Sequence, residues 1–295
     1  MGQRRWFGTD GIRGRVGKVP MTPEFVAAVG AAAGTFFSKG NPGGTVLVAR
    51  DTRGSGPELE AALAMGLESV GLKVLRVGVL PSGAAAMIVP AMGACAGAIL
   101  SASHNPAEDN GLKFCRADGR KLEDAEEEQI EARLDLEHLP KITAKAGSTD
   151  FSCEPKALEA YRNKLKGGFA PGFNLGGLKV MVDAAHGAAW KTTPEILQEL
   201  GAEVEVMANQ PDGKNINDGC GSEHPEKLMA AVQAKKGWIG VAHDGDADRL
   251  VLVDSSGRAE NDLNARDRWA ANTTRARRGR CRDVCVWVAQ ILSAT

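Results

Sequence analysis

The stretch Ile239-Gly240-Val241-Ala242-His243-Asp244-Gly245-Asp246-Ala247-Asp248-Arg249 decides how this chain is read. Its first part, Ile239–Ala242, is a short apolar run of the kind that forms a buried strand. Just beyond it come three aspartates at alternate positions, separated only by glycine and alanine. Ligands of open α/β sheets bind at the carboxyl ends of strands, so an acidic loop in that place is a candidate site. Asp244, Asp246 and Asp248 can converge in one tight turn. Their charges would repel without a cation, and their hard oxygens suit Mg²⁺. An acidic surface turn is the plain alternative; the strand end and the adjoining Arg249 weigh against it.

Working outward, the same strand-then-helix rhythm recurs along most of the chain. Thr22–Lys39 opens with a capping threonine and a proline in the first turn, which predicts a helix. Thr45–Ala49, Lys73–Val77 and Ala96–Leu100 read as strands, with helices over Glu58–Val70 and from Pro81 to about Met92. A charged helical pattern covers Leu122–Leu136, and the polar, aperiodic Pro140–Asp150 reads as a linker. The pattern then restarts: helices at Glu154–Lys166, Ala188–Leu200 and Pro225–Lys235, strands at Lys179–Asp183, Glu203–Met207, Ile239–Ala242 and Leu250–Asp254. Such alternation predicts an α/β protein with parallel strands and crossover helices. It divides into two units, residues 1–150 and 151–257, followed by a segment of different character, 258–295.

Composition narrows the function. A chain of 295 residues has room for about two domains at roughly 100–200 residues each. With 36 basic against 37 acidic side chains it is no general nucleic-acid binder. No apolar run approaches the ~20 residues of a membrane span, and the basic N-terminus lacks the apolar core of a signal peptide. The six cysteines are scattered, which reads as free thiols in a cytoplasmic protein. Cys281 and Cys285 have no second pair nearby, so zinc is not expected.

Three further segments carry polar chemistry. Ser101-Ala102-Ser103-His104-Asn105-Pro106 follows the strand Ala96–Leu100. A hydrolase reading of the serine and histidine fails, because no nucleophile elbow surrounds them. A serine carrying a phosphoryl group fits better, with His104, Asn105 and Lys113 as donors; an Asn-Pro turn with a capping serine is the plain alternative. Gly8–Gly14 is a glycine-rich loop whose amides and Arg13 suit a phosphate, or a simple turn. Asn215–Ser222 is by composition only a polar loop.

Taken in order, Gly8–Gly14 (GTDGIRG), Ser101–Pro106 (SASHNP) with Asp109–Lys113 (DNGLK), Ile216–Glu226 (INDGCGSEHPE) and Asp244–Arg249 (DGDADR) resemble the α-D-phosphohexomutase superfamily, over roughly residues 4–258. The first and third look most like its glucosamine-phosphate branch. The resemblance implies two consecutive α/β domains of mixed or parallel sheet, out of four in the family. It implies a phosphoserine at Ser103, and Mg²⁺ held by Ser103, Asp244, Asp246 and Asp248. Arg13, Lys113 and Arg249 match the family's charge-stabilising positions, and His104 and Lys113 are candidates for the acid/base. The reaction implied interconverts glucosamine 6-phosphate and glucosamine 1-phosphate through a bisphosphorylated sugar, towards UDP-N-acetylglucosamine. Glucose or glucosamine 1,6-bisphosphate is the activator implied, and the partners are a small phosphosugar and, allowably, a second copy of the chain. A phosphomannomutase or phosphoglucomutase is the nearest alternative, then an aspartate-based phosphatase, then a metal-binding fragment without catalysis.

The sequence departs from the family in places. Ala107-Glu108 and Cys115 stand where aromatics are common, and Glu223 where threonine is usual. Beyond Arg258 the family's Gly-Glu-x-Ser-Gly-His and Arg-x-Ser-Gly-Thr loops do not occur. Residues 259–295 hold seven arginines and no lysine, whereas the first 258 hold all 16 lysines. That shift leads us to expect a truncated or frameshifted mutase, with the third and fourth domains missing and with weak or no turnover.

Overall fold

Strands buried on both faces need helices on both sides, and the computed structural model of the chain, which describes residues 4–142, 150–169 and 171–261, is layered accordingly. The first unit runs β1 (Ile12–Arg15), α1 (Pro23–Ser38), β2 (Thr45–Arg50), α2 (Gly56–Ser69), β3 (Lys73–Val79), α3 (Ser82–Ile88), β4 (Ala96–Leu100), β5 (Asp109–Arg116) and α4 (Asp124–Glu131). Its sheet has the order β1-β5-β4-β2-β3. The second unit runs α5 (Pro155–Gly167), β6 (Lys179–Asp183), α6 (Thr192–Glu199), β7 (Glu203–Met207), α7 (Glu226–Ala234), β8 (Trp238–His243), β9 (Leu250–Val253) and β10 (Ala259–Asn261). Its sheet has the order β10-β9-β8-β6-β7.

Alternation along β2 shows how the layers form. Val46 and Val48 join the core beneath α1 and α2, while Leu47 and Ala49 join the core beneath α3. Thr22 caps α1 as expected, its hydroxyl accepting from the Phe25 amide at 3.3 Å. The two units share one apolar core. Leu47, Leu80 and Ile88 of the first pack in the same cluster as Tyr161, Leu165, Val180 and Leu197 of the second. Helix α5 lies against α3.

Several elements differ from the sequence reading. The sheets are mixed, which the family resemblance allows and the strand–helix alternation alone does not: β1, β5, β9 and β10 all run antiparallel to their neighbours. Ile12–Arg15, placed by its glycines in a loop, is an edge strand paired with β5. β5, for which no strand was expected, opens Asp-Asn-Gly, and Gly111 lies so close to the chain leaving β4 that a Cβ there would stand 2.4 Å from the Ser101 carbonyl oxygen. The helices expected at Leu122–Leu136, Ala188–Leu200 and from Pro81 to Met92 are shorter, at 124–131, 192–199 and 82–88. The second sheet continues to Asn261, past the boundary expected at 257, because Ala259–Asn261 pairs with β9. Of the aberrant segment expected at 258–295, residues 262–295 lie outside the described residues. Cys95, Cys115, Cys153 and Cys220 are free thiols, and no described helix is long and apolar enough to cross a membrane.

Candidate active site

Both sheets present the carboxyl ends of their central strands to the same place. β4 ends at Leu100 and leads into the loop that carries Ser103. Ser103 is 1% exposed and sits at φ +50°, a left-handed conformation that a serine adopts only when its surroundings hold it there. The Ser101 hydroxyl accepts from the Ser103 amide at 2.9 Å and donates to the Asp51 carboxylate at 2.6 Å. Arg53, wholly buried, pairs with that carboxylate at 2.9 Å. Its guanidinium donates to four carbonyls of the loop and of β5, those of Ser103, Asn105, Pro106 and Asp109.

β8 ends at His243 and delivers the aspartates. One carboxylate oxygen from each of Asp244, Asp246 and Asp248 lies within 4.8 Å of the others. Gly245 makes the fit possible, since a Cβ there would come within 2.7 Å of the Ser103 carbonyl oxygen. The Ser103 hydroxyl donates to Asp244 Oδ2 at 2.6 Å and lies 3.5 Å from Asp248 Oδ1. Ser82 ties the loop to the first unit: its amide donates to the Asp246 carbonyl at 2.9 Å and its hydroxyl to Asp246 Oδ2 at 2.6 Å. Asp246 Oδ1 is buried and has no hydrogen-bond partner among the described residues. Three converging carboxylates and an orphaned carboxylate oxygen fit a small hard cation such as Mg²⁺.

Among the described residues, Lys113 brings its positive charge directly onto the carboxylates. Lys113 Nζ lies 3.1 Å from Asp246, 3.3 Å from Asp248 and 3.0 Å from Asp10. Burial disfavours its ammonium, but these carboxylates outweigh burial and raise its pKa. Burial, then the charges of Asp246 and Asp248, pushes Asp244 well above the carboxylate range. Asp248 is raised by burial and by Asp246. Asp246 is buried too, yet Lys113 and the Ser82 hydroxyl bring it below its ordinary value. Arg249 Nη2 stands 2.6 Å from His104 Nδ1 and Nη1 stands 3.0 Å from Glu223. Because guanidinium only donates, His104 Nδ1 is an acceptor and its ring is neutral. Burial first, then Arg249, depresses the His104 pKa to match.

The structure thus brings Ser103, His104, Lys113, Asp244, Asp246 and Asp248 together. Arg249 grips His104 and Glu223 with its side chain, and only its amide reaches Asp244, at 3.2 Å. Arg13 approaches through Asp10, whose Oδ2 both it and Lys113 share. Sequence reasoning missed Asp51, Arg53, Ser82 and the contact of Asn217 with the serine loop. Asp51-Thr52-Arg53 directly follows β2, so the strand-end logic that found the aspartates applied there too.

Fold and site together define a class: proteins of two α/β units in which a serine loop from one sheet meets a carboxylate loop from the other. Residues 4–140 match "Phosphoglucomutase/phosphomannomutase, alpha/beta/alpha domain I" and residues 160–257 match domain II of the same family. The chain belongs to the phosphoglucomutase/phosphomannomutase family. Its relatives include the phosphoglucosamine mutase of Thermus thermophilus, 48% identical over 255 residues, covering 86% of this chain and 56% of that protein. That of Cupriavidus pinatubonensis is 46% identical over 280 residues, covering 91% and 62%. A solved family protein from Burkholderia thailandensis superposes with a TM-score of 0.69 at 26% identity, over 88% of this chain and 58% of its own. The chain therefore spans about three fifths of the length of the curated relatives it matches.

Proposed function

We propose that this chain carries the phosphoserine and metal centre of a phosphosugar mutase that interconverts glucosamine 6-phosphate and glucosamine 1-phosphate. The observation that carries the reading is the Ser103 hydroxyl, buried at φ +50° and 2.6 Å from Asp244 in the carboxylate cluster. The sugar is proposed from the relatives named phosphoglucosamine mutase.

In the first half-reaction the P–Oγ bond of phosphorylated Ser103 breaks as a sugar hydroxyl oxygen bonds to phosphorus. The hydroxyl proton passes to a base. In the second half, the other phosphate of the bisphosphorylated sugar returns to Ser103 Oγ and the proton goes back. Of the two candidate bases, His104 is a neutral ring whose one lone pair, on Nδ1, becomes free for a proton once Arg249 releases it, whereas Lys113 is engaged by three carboxylates. We assign proton transfer to His104 and charge neutralisation to Lys113. Asp244, Asp246, Asp248 and the serine phosphate would hold Mg²⁺, which offsets charge on the moving group. Arg249 orients the His104 ring, and Arg13 adds positive charge at the mouth through Asp10.

Parallel assays on the 6-phosphates of glucosamine, mannose and glucose, with glucose 1,6-bisphosphate and Mg²⁺ supplied, test this. The glucosamine substrate should be converted fastest. Ser103→Ala should lower the rate by roughly 10³-fold or more. Preference for mannose phosphate would reassign the substrate, and a Ser103→Ala chain as fast as its parent would remove the phosphoserine.

A further inference from the structure

Two carbonyls of the serine loop are each held by the same two side chains, one from each unit. The Ser103 carbonyl accepts from Arg53 Nη2 at 2.9 Å and from Asn217 Nδ2 at 2.9 Å. The Asn105 carbonyl accepts from the same nitrogens at 2.8 Å and 3.1 Å. A carbonyl has two lone pairs, so both oxygens are saturated. Arg53 is fixed by Asp51 in the first unit. Asn217 belongs to the second, at φ +61° with its amide donating to the Ala185 carbonyl at 2.9 Å.

We propose that Arg53 and Asn217 form a two-sided clamp that positions Ser103 for phosphoryl transfer, and that the Asn217 half engages only when the second unit is seated on the first. Arg53 alone holds the loop to its own sheet. Asn217 adds the register to the aspartates, because it lies against Gly245: a Cβ on that glycine would stand 2.8 Å from Asn217 Nδ2. Two neighbouring contacts seat the units in the same register, Gly54 amide to Gly213 carbonyl at 2.8 Å and Thr52 hydroxyl to His186 carbonyl at 2.5 Å. The polar loop 215–222 thus gains a task that its composition does not disclose. This inference rests on Ser103 being the phosphoryl carrier.

Asn217→Asp keeps the shape and the left-handed tolerance of the residue but replaces the donor with a repelling oxygen. Asn217→Gly removes the side chain without backbone strain at φ +61°. Arg53→Lys keeps the charge beside Asp51 but loses the fork. Two readouts are made on the full chain: amide hydrogen exchange of residues 101–106, and the rate at which Ser103 takes up phosphate from glucose 1,6-bisphosphate. Both Asn217 variants should exchange about tenfold faster in that segment while the rest of the chain is unchanged. They should also take up phosphate at least about tenfold more slowly, since misplacement by about 1 Å can cost 10²-fold. Exchange within twofold of the parent in both variants would overturn the clamp. Faster exchange with uptake unchanged would overturn its positioning role. A parent chain that takes up no phosphate would overturn the phosphoserine reading and that role with it, while the exchange data still decide whether the clamp holds the loop.

Discussion

Asp246 concentrates the electrostatics of the site in one side chain. Its Oδ2 is shared by Ser82 and Lys113, its Oδ1 has no partner among the described residues, and it is 1% exposed. A buried carboxylate oxygen without a partner carries a desolvation cost of about 1–3 kcal/mol, which a bound cation would offset. Mg²⁺ or Mn²⁺ should therefore raise the melting temperature, by about 2–4 °C for each kcal/mol of binding energy. Asp246→Asn should abolish most of that rise, and an unchanged rise would place the cation elsewhere. Residues of this kind were legible in the sequence because Asp244, Asp246 and Asp248 stand at alternate positions in one short loop that follows a strand. Arg53 was marked only by its place after β2, and Asn217 not at all, because the serine-loop groups they hold are backbone carbonyls, and a carbonyl leaves no mark on the sequence. The distance along the chain hides them further, Asn217 reaching across 114 residues to Ser103.

Among the elements, α4 fastens the N-terminal segment through a carboxylate at its end. Glu131 Oε1 accepts from the amides of Trp6 and Phe7, both at 2.6 Å, and Oε2 from the Arg5 amide at 2.9 Å. This fastens the N-terminal segment, whose Trp6 ring packs edge-on against Phe25 of α1 at 4.8 Å. Hydrogen bonds to a charged group contribute about 1.5–3 kcal/mol. Glu131→Gln turns one acceptor into a donor facing an amide, so it should destabilise the chain by roughly that amount in urea denaturation. A loss below about 0.5 kcal/mol would mean that apolar packing and the Arg4 ion pairs with Asp124 and Glu127 hold the segment without Glu131. Helices and central strands were readable because their apolar periodicity is strong. β1 and β5 were hidden because glycine, asparagine and aspartate, which ordinarily mark turns, are placed there by close contact between neighbouring strands.

Over the whole molecule, the two sheets are not independent bodies joined by a linker. They share an apolar cluster running from Leu47 and Ile88 to Val180 and Leu197, and Ser82 bonds directly to the aspartate loop. Calorimetry should show the described units melting in one cooperative transition, with equal calorimetric and van't Hoff enthalpies. Two separated transitions would show that the shared core is not the unit of stability. The division into two α/β units was legible from the repeated strand–helix rhythm, but their joint core was not, because periodicity shows that a face is buried and not what buries it. The same seating of one unit on the other puts the Ser103 hydroxyl among the aspartates, where the proposed phosphoserine would meet its metal. The most direct test is phosphopeptide mapping of the chain after incubation with glucose 1,6-bisphosphate and Mg²⁺. Phosphate on Ser103, absent from Ser103→Ala, is the result predicted; no phosphate on Ser103, or phosphate trapped on Asp244 instead, would contradict it.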